Sequence, residues 1–553
     1  MSAILNKARL CPLSRPAFDQ LSRHSQPACR QDQPAQGGVR DLRRSDMICI
    51  SATRQRQQPF STASLTGQAS RRDRNSVAVA GLLALLLTGC SLAPPYERPA
   101  APVAATLPDS EGSALLPAGA ERTDWKHFFA DPALLQLLQQ ALSHNRDLLI
   151  ATQHIEEARA LYGIRSADQL PAISAGLTML QLHLSSGLPM GNADFDSTQY
   201  AASLALSSWE LDFWGRIRNL KAAALETYLS QVDARRAAEL SLTAQVANTY
   251  LLERDLDERI DIARQTLASR ETTWHIMQRR NEVGSVSRLD VSQARSLYDQ
   301  ARAGLALLEQ QKKRAHNALT LLAGMPLPEI SVPLSAIENH FIAPTARDIS
   351  SEVLLDRPDV QAAEHRLKAA HADIGVARAA FFPRITLFGT MGSSSGALDG
   401  LFSPDTRTWL FVPSLTQPLF DNGRNQAGLD LANARHNLAV ADYERTIQTA
   451  FREVADALAD RQWLNRQVDA QQAIVLDQTE QVRLARLRYE HGMSSFLDVL
   501  DAERSLFAAR QTLVETRRAL LSASVSLYAA LGGGASLAPA NASPDAPAPR
   551  NKK

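Results

Sequence analysis

The chain has 553 residues, of which 45% are apolar and 21% charged, and its formal net charge at pH 7 is +1. This balance is typical of a folded protein, and it excludes a disordered polyelectrolyte and a basic nucleic-acid-binding protein. The charge is uneven, because residues 1–76 contain 13 Lys/Arg and 5 Asp/Glu while the remainder contains 46 and 53. The larger part of the chain is therefore mildly acidic.

The N-terminal region contains every cysteine of the chain: Cys11, Cys29, Cys49 and Cys90. No disulfide framework or cysteine metal site can therefore form downstream. The stretch RRDRNSVAVAGLLALLLTGC has a basic start and an apolar run of 11 residues, 77–87. That run is too short to span a bilayer and is typical of a signal peptide. We predict a leader and lipoprotein signal peptide over residues 1–89, with residues 1–70 interpreted as a discarded extension or a mis-set start.

The residues LTGC, which end at Cys90, resemble the bacterial lipobox. The resemblance implies cleavage before Cys90 and attachment of a diacylglycerol to its thiol, which gives a lipoprotein that carries palmitate. Ser91, where an aspartate would retain the protein at the inner membrane, implies sorting to the outer membrane. The alternative is a cysteine buried in an apolar segment. Residues 90–125, rich in proline and alanine, are predicted to be a lipid-anchored extended tether.

The sequence then repeats itself. Residues 145–173 match 357–385 at an offset of 212, and further on the offset becomes 208, so that Gly284 corresponds to Gly492. A period of about two hundred residues is too long for a solenoid and indicates one duplicated unit. We predict a first repeat over 126–340, a second over 341–531, and a disordered tail over 532–553.

Each repeat is predicted to have the same order of elements. A helix ends just before Pro171 or Pro383, and two short strands follow. An uninterrupted helical pattern then covers 217–282 or 424–490, which corresponds to about 100 Å of helix. Helices of this length, apolar only along narrow seams, are typical of coiled coils. A glycine turn leads into a shorter helix, predicted at 286–323 or 495–531.

The four predicted strands, at 172–183, 198–208, 384–391 and 407–417, have the length of outer-membrane strands. Four strands cannot close a barrel, since even small barrels need about eight. An open edge in lipid would leave backbone groups without hydrogen bonds. If the strands lie in a membrane, several chains must share one barrel.

The duplicated order, the strand-to-helix segments WELDFWGRIRN and PLFDNGRNQ, and the turns VGSVSRLDV and HGMSSFLDV resemble the outer-membrane factor family of TolC-like and OprM-like channels. The resemblance covers residues 90–531. It implies an α+β, mostly α fold in which a homotrimer forms one 12-stranded transmembrane β-barrel, four strands per chain, continued by a long α-helical coiled-coil barrel. It also implies that the chain is the outer-membrane channel of a tripartite efflux pump, a passive exit duct for drugs or other small molecules that extends into the periplasm. The expected partners are a periplasmic adaptor and an inner-membrane pump of RND type, without a cofactor.

The resemblance also implies a gate at the periplasmic tip, where the two turns lie. The residues at matching gate positions are Asp290, Tyr489, Leu497, Asp498, Asp501 and Arg504. The residues at the tips, which would contact the adaptor, are Val283, Gly284, Ser285, His491, Gly492 and Met493. TolC-like members have an arginine at the position of Ser494, so the match here is closer to the OprM-like closure.

Some gate positions have a simpler explanation. Ser287 with Asp290, and Ser495 with Asp498, each fit a capping box at a helix start. Asp501 and Arg504 do not, because the first repeat has Gln293 and Ser296 there. They could form a solvated ion pair, but threefold symmetry would gather three such carboxylates around one axis. We therefore favour them as the gate.

Signals for an enzyme are poor. The run GSSSG at 392–396 matches a nucleophile-elbow motif but enters a loop rather than a helix, so we interpret it as part of an extracellular loop. His365 and His371 are interpreted as surface residues, and no metal site is expected. Two other functions remain open: a periplasmic coiled-coil scaffold lipoprotein, and the outer-membrane duct of a type I protein secretion system.

Overall fold

The computed structural model describes residues 91–104, 124–184, 195–329, 331–338, 341 and 351–533. These residues belong to one structural unit, 74–553. The predicted signal peptide, the lipid site Cys90, residues 105–123 of the predicted tether and the tail beyond 533 lie outside the described residues.

The first half of the described chain contains six helices and two strands. They are α1 (Trp125–Phe128), α2 (Pro132–His144), α3 (Arg146–Ala167), β1 (Ile173–Leu184), β2 (Phe195–Glu210), α4 (Arg216–Glu282), α5 (Arg288–Ala323) and α6 (Leu334–Ile337). Local chemistry sets several of these bounds. Asp131 caps α2 by accepting a hydrogen bond from the Ala133 amide, and Asn145 caps α3 through the Leu148 amide. The end of α3 precedes Pro171, as predicted.

The second half has the same order of long elements. A 3₁₀ helix (Ser351–Asp356) precedes α7 (Pro358–Ala379), and β3 (Arg384–Ser395), a 3₁₀ turn (Pro404–Thr406), β4 (Arg407–Thr416), α8 (Arg424–Glu490) and α9 (Phe496–Ala530) follow. The helices α4 and α8 each have 67 residues, and each begins after a glycine with positive φ, Gly215 or Gly423. The predicted mostly helical α+β class is confirmed.

The four strands form one antiparallel sheet in the order β1-β2-β3-β4. Leu204 pairs with Met391 at its centre, and the register shifts between Leu206 and Trp209. Within the described residues, β1 and β4 each pair on one side only. Apolar side chains of β4 such as Trp409 are exposed, so neither the sheet edges nor its apolar surface are covered by the described chain.

The interpretation of GSSSG as a loop is wrong, because β3 continues to Ser395. Residues Gly392 to Ser395 pair with Ser203 to Tyr200 of β2. A Cβ on Gly392 would lie 2.0 Å from the Ala202 carbonyl oxygen, so the glycine permits a close backbone approach. Backbone pairing with a distant strand thus overrides the weak strand preference of glycine and serine.

The apolar core is divided along the helices. One cluster, which includes Leu138, Leu251 and Phe341, packs α2 against α4 and the segment after α6. A second, with Leu367 and Tyr443, joins α7 to α8. Smaller clusters continue toward the hairpin turns. No helix within the described ranges has the length and apolar character needed to cross a membrane.

Residues 91–104, which we call the N-terminal strap, lie along α7. Ser91 donates a hydrogen bond to Asn219 of α4 at 3.0 Å, and Arg98 pairs with Glu364 of α7 at 2.7 Å. Although burial disfavours its charged form, Lys368 and Arg98 hold the pKa of Glu364 below its usual value. The part of the predicted tether that the structure describes is therefore docked on the helices.

The two histidines interpreted as surface residues are half-buried, and that interpretation is wrong. His365 forms a 2.6 Å hydrogen bond with Glu226 of α4, and the Nε2 atom of His371 lies 2.8 Å from the Pro94 carbonyl oxygen of the strap. Both partners are more than a hundred residues away in sequence, so local spacing could not reveal them.

Candidate functional site

The two hairpin turns are built alike. Gly284, after α4, has φ of +76°, and Gly492, after α8, has φ of +72°. This left-handed conformation lets the amides of Ser285 and Met493 donate to carbonyl oxygens of the preceding helix at 2.8 Å. The side chains at the tips, such as Val283 and Met493, are exposed.

The two predicted capping boxes differ. Ser287 accepts a hydrogen bond from the Asp290 amide, and Asp290 accepts one from the Ser287 amide, so the first box is complete. Ser495 is the N-cap residue of α9, but its side chain caps no backbone amide and only donates to Asp498 at 3.2 Å. The prediction of a second capping box is therefore wrong. Instead, Phe496 is buried against Tyr489, so apolar packing holds the first turn of α9.

This difference predicts unequal effects of removing the two hydroxyls. Ser287→Ala is expected to destabilise the first turn of α5 by about 1 kcal/mol, because an N-cap acceptor is lost. Ser495→Ala should change the first turn of α9 little, since that hydroxyl caps nothing. Hydrogen exchange of the amides in the two turns, followed by mass spectrometry, measures both. Equal acceleration in the two variants would contradict the assignment.

Asp501 and Arg504 form an ion pair on α9, one turn beyond the predicted cap. The Asp501 Oδ1 to Arg504 Nη2 distance is 2.8 Å, and the side chains are 53% and 64% exposed. Within the described residues neither forms a hydrogen bond or ion pair with Asp290. An exposed pair of this kind contributes roughly 0.5 kcal/mol or less to the stability of one chain.

Tyr489 is the predicted gate residue that joins the two hairpins. Its hydroxyl lies 3.3 Å from the Arg280 Nη1 atom at the end of α4, and its ring packs on Phe496. A buried cluster that includes Met277, Val499 and Leu500 lies beside it. Leu497, by contrast, is exposed and contributes nothing to this cluster.

Arg270 of α4 was not among the functional residues predicted from the sequence. It is buried, donates to the Leu297 carbonyl oxygen of α5 at 3.1 Å, and lies over the Phe507 ring of α9. Burial lowers its pKa. Its counterpart in the second repeat is Gln478, and this loss of repeat symmetry at a charged position was the signal available in the sequence.

A second missed feature is the charged run 253–259 of α4, which holds three neighbouring elements. Asp257 pairs with Lys312 of α5 at 2.5 Å and accepts a hydrogen bond from Ser331. Glu258 pairs with Arg517 of α9 at 3.1 Å. Since α4 connects here to α5, α9 and the segment before α6, this run positions the second hairpin against the first. In sequence it looks like an ordinary solvated helix face.

The described residues contain no group of three or more His, Cys, Asp or Glu side chains that could hold a metal ion. The hairpin ends are built from helix packing, an exposed ion pair and two hydrogen-bonded glycine turns. These turns present charge and apolar surface at the ends of long helices.

Comparisons with known proteins agree across both halves of the chain. A family model described as outer membrane efflux protein matches residues 137–325 and 349–533. The outer membrane protein OprJ of Pseudomonas aeruginosa is 43% identical over 456 residues, which cover 82% of this chain and 95% of OprJ. The toluene efflux pump outer membrane protein TtgC of Pseudomonas putida is 41% identical over 457 residues, covering 82% and 94%. The structure is also similar to the crystal structure of the open state of the MtrE outer membrane channel of Neisseria gonorrhoeae. The TM-score is 0.72 at 37% sequence identity, and the match covers 80% of this chain and 98% of MtrE.

Proposed function

The chain belongs to the outer membrane efflux protein family, and we propose that it is the passive exit duct of a tripartite pump, closed at its periplasmic tip. It is an efflux channel component of the outer membrane, as the sequence resemblance predicted. The observation that carries the proposal is the combination of an open four-stranded sheet with two helices of 67 residues. Such helices extend about 100 Å from the sheet, which suits a conduit rather than a catalyst.

The open sheet edges support a homotrimer. In a bilayer, β1 and β4 would each expose unpaired amide and carbonyl groups to lipid, which costs several kcal/mol per group. A second copy can pair its β1 with this chain's β4 at no such cost. Three copies give the 12-stranded barrel that the family resemblance implies.

The internal repeat supports the same assembly through its helices. In the first repeat α4 is covered by α7, so Ser230 is 2% exposed, whereas its counterpart on α8, Leu438, is 69% exposed. Likewise Ala362 of α7 is 2% exposed, whereas its counterpart on α3, Ile150, is 55% exposed. Apolar side chains at repeat-equivalent positions remain uncovered where α8 would meet α3 of another copy. A neighbouring α3 would bury both faces in the way that α7 buries α4.

The gate of the duct is proposed to lie at the two hairpin turns. Three copies of Asp501 and Arg504 would meet around the pore axis, and Asp290, Leu497 and Asp498 would lie beside them. Tyr489 would connect the second hairpin to the first through Arg280. The exposed tips, 283–285 and 491–493, would receive the periplasmic adaptor, which links the duct to an inner-membrane pump of RND type. TtgC is named as a toluene efflux pump protein, so toluene and similar small organic molecules are proposed substrates, and the family resemblance adds drugs to them.

Lipidation of Cys90 is part of the proposal. The strap begins one residue later, and Ser91 lies beside Asn219 at the start of α4, close after β2. A lipid on Cys90 would therefore enter the membrane near the ends of the strands. The repeats 126–340 and 341–531, with the tether 90–125 and the tail 532–553, are the proposed domain division.

Reconstitution of the purified protein into planar bilayers tests the duct. We expect discrete conductance steps, small in the absence of adaptor because the tip is closed. In a strain that lacks its own outer-membrane efflux component, expression together with a cognate adaptor and pump should restore resistance to toluene or drugs. A scaffold lipoprotein would give no conductance, and a protein-secretion duct would export a polypeptide without restoring resistance.

A further inference from the structure

Asp255 of α4 is a buried carboxylate with poor compensation. It is 0% exposed, at the place where α9 packs against α4, and neither of its oxygens accepts a hydrogen bond within the described residues. A buried carboxylate without hydrogen bonds is normally destabilising, because the hydrogen bonds that it would form with water are lost and no protein group replaces them.

The two cations near Asp255 do not neutralise it well. Arg259, on the same helix, lies 3.5 Å away but is closer to Glu515 of α9, at 2.8 Å, and donates to Gln511 at 2.7 Å. Arg518 of α9 approaches only to 3.9 Å. Arg259, Arg518 and Glu515 are the charged groups that act on the carboxyl from α4 and α9. Burial outweighs the two arginines, with Glu515 acting in the same direction, and raises the pKa of Asp255 to about 6.

Asp257, two residues further along α4, provides the contrast. It is equally buried, yet Lys312, Ser331 and the Val332 amide all bind it. The repeat gives a second contrast, because the position of Asp255 on α8 is taken by Trp463, which is half exposed. Neither the coiled coil nor the repeat therefore requires an acid at position 255.

We propose that protonation of Asp255 controls the separation of α9 from α4. With a proton on its carboxyl, the two helices remain packed; without the proton, water solvates the carboxylate and α9 is released. The inference rests on the proposed function, because α9 begins at the second hairpin turn and carries Asp501 and Arg504. Release of α9 from α4 would loosen the tip.

The direction with pH follows from the two environments of the carboxyl. Packed, it binds its proton below about pH 6, whereas in water its pKa is near 3.8. The preference for the packed arrangement is therefore complete below the lower value and is lost as the pH rises through 6. Since two pKa units correspond to a factor of about one hundred, the ratio of separated to packed chains should rise up to about a hundredfold between pH 4 and 7.

Measuring the distance between α4 and α9 as a function of pH tests the role of Asp255. Nitroxide labels at Gln265→Cys and Thr512→Cys, both exposed positions, report the separation of the helices by pulsed electron paramagnetic resonance. Labelled chains are diluted with unlabelled ones so that only distances within one chain contribute. The wild-type background should shift toward longer distances as the pH rises from 4 to 7.

Asp255→Asn should abolish this shift and keep the short distance throughout, because the amide is neutral and similar in shape. Asp261→Asn, which removes an exposed carboxylate on the same helix, is the matched control and should retain the shift. A wild-type distance that does not change with pH, or a shift that survives in Asp255→Asn, would overturn the proposal. Bilayer conductance of the same samples distinguishes this proposal from the proposed channel function. Distances that change with pH in samples without any conductance would support the role of Asp255 and reject the channel function.

Discussion

Gly163→Cys combined with Ala427→Cys is expected to link the chain into covalent trimers in the outer membrane under mild oxidation. The reason is the repeat. Gly375, the counterpart of Gly163, lies so close to α4 that a Cβ there would be 2.3 Å from Asn219, whereas a Cβ on Gly163 meets nothing within 4 Å. Ala427 is the counterpart of Asn219 and is exposed, while Asn219 is buried. Residue 163 of one copy should therefore meet residue 427 of the next.

Non-reducing electrophoresis measures this result, with nearly complete conversion to a species of three chains. The matched control is Asn219→Cys with Gly375→Cys, which should form the equivalent link within one chain and leave the mass of a single chain. Either cysteine alone should give no trimer. If the double variant at 163 and 427 remains a single chain while the control becomes oxidised, the proposed subunit contact is wrong.

Removal of the ion pair on α9, by Asp501→Ala with Arg504→Ala, is expected to raise single-channel conductance several-fold in the absence of adaptor. In one chain the pair contributes little to stability, because both side chains are more than half exposed. Around a threefold axis the same groups would form a ring of three carboxylates and three guanidinium groups at the narrowest point. Removing both side chains should therefore widen the aperture and separate the hairpins of the three copies.

The matched control for the gate is Glu480→Ala with Arg483→Ala. That pair lies on α8 with the same three-residue spacing, a 2.7 Å separation, and exposures of 54% and 62%. Its loss should leave conductance unchanged, so a rise in both double variants would indicate general loosening rather than a gate. Unchanged conductance in the Asp501 and Arg504 variant would remove these residues from the gate.

Most of the elements of the fold could be predicted because their signals are local. The bounds of α4 and α8, predicted at 217–282 and 424–490, lie within a residue of the observed ones. Helical periodicity, the absence of internal proline and the flanking glycines are properties of neighbouring residues, so they can be recognised without the tertiary structure. The same holds for the duplicated order of elements.

Predictions failed where pairing or packing with another element decides the local structure. The GSSSG run becomes a strand because β2, almost two hundred residues earlier, offers it hydrogen bonds. Ser287 and Ser495 stand in the same pattern, yet only the first closes a capping box, since Phe496 packs against Tyr489 where the first repeat has Arg288. The Ser-x-x-Asp pattern is present at both helix starts, and the packing of the residue after the serine decides whether the capping box closes.

The class of protein, the order of its helices and strands, and the positions of the two turns could be predicted without the structure, because periodicity, glycine and proline act over a few residues. The pairing of charges, by contrast, depends on contacts between elements that are distant in sequence. Asp255 and Asp257 lie two residues apart on one helix and are both buried. Lys312 of α5 pairs with Asp257, whereas no group in the described part of the chain donates a hydrogen bond to Asp255. The free energy of a buried charge depends on the few groups within about 4 Å, and those groups come from distant parts of the chain.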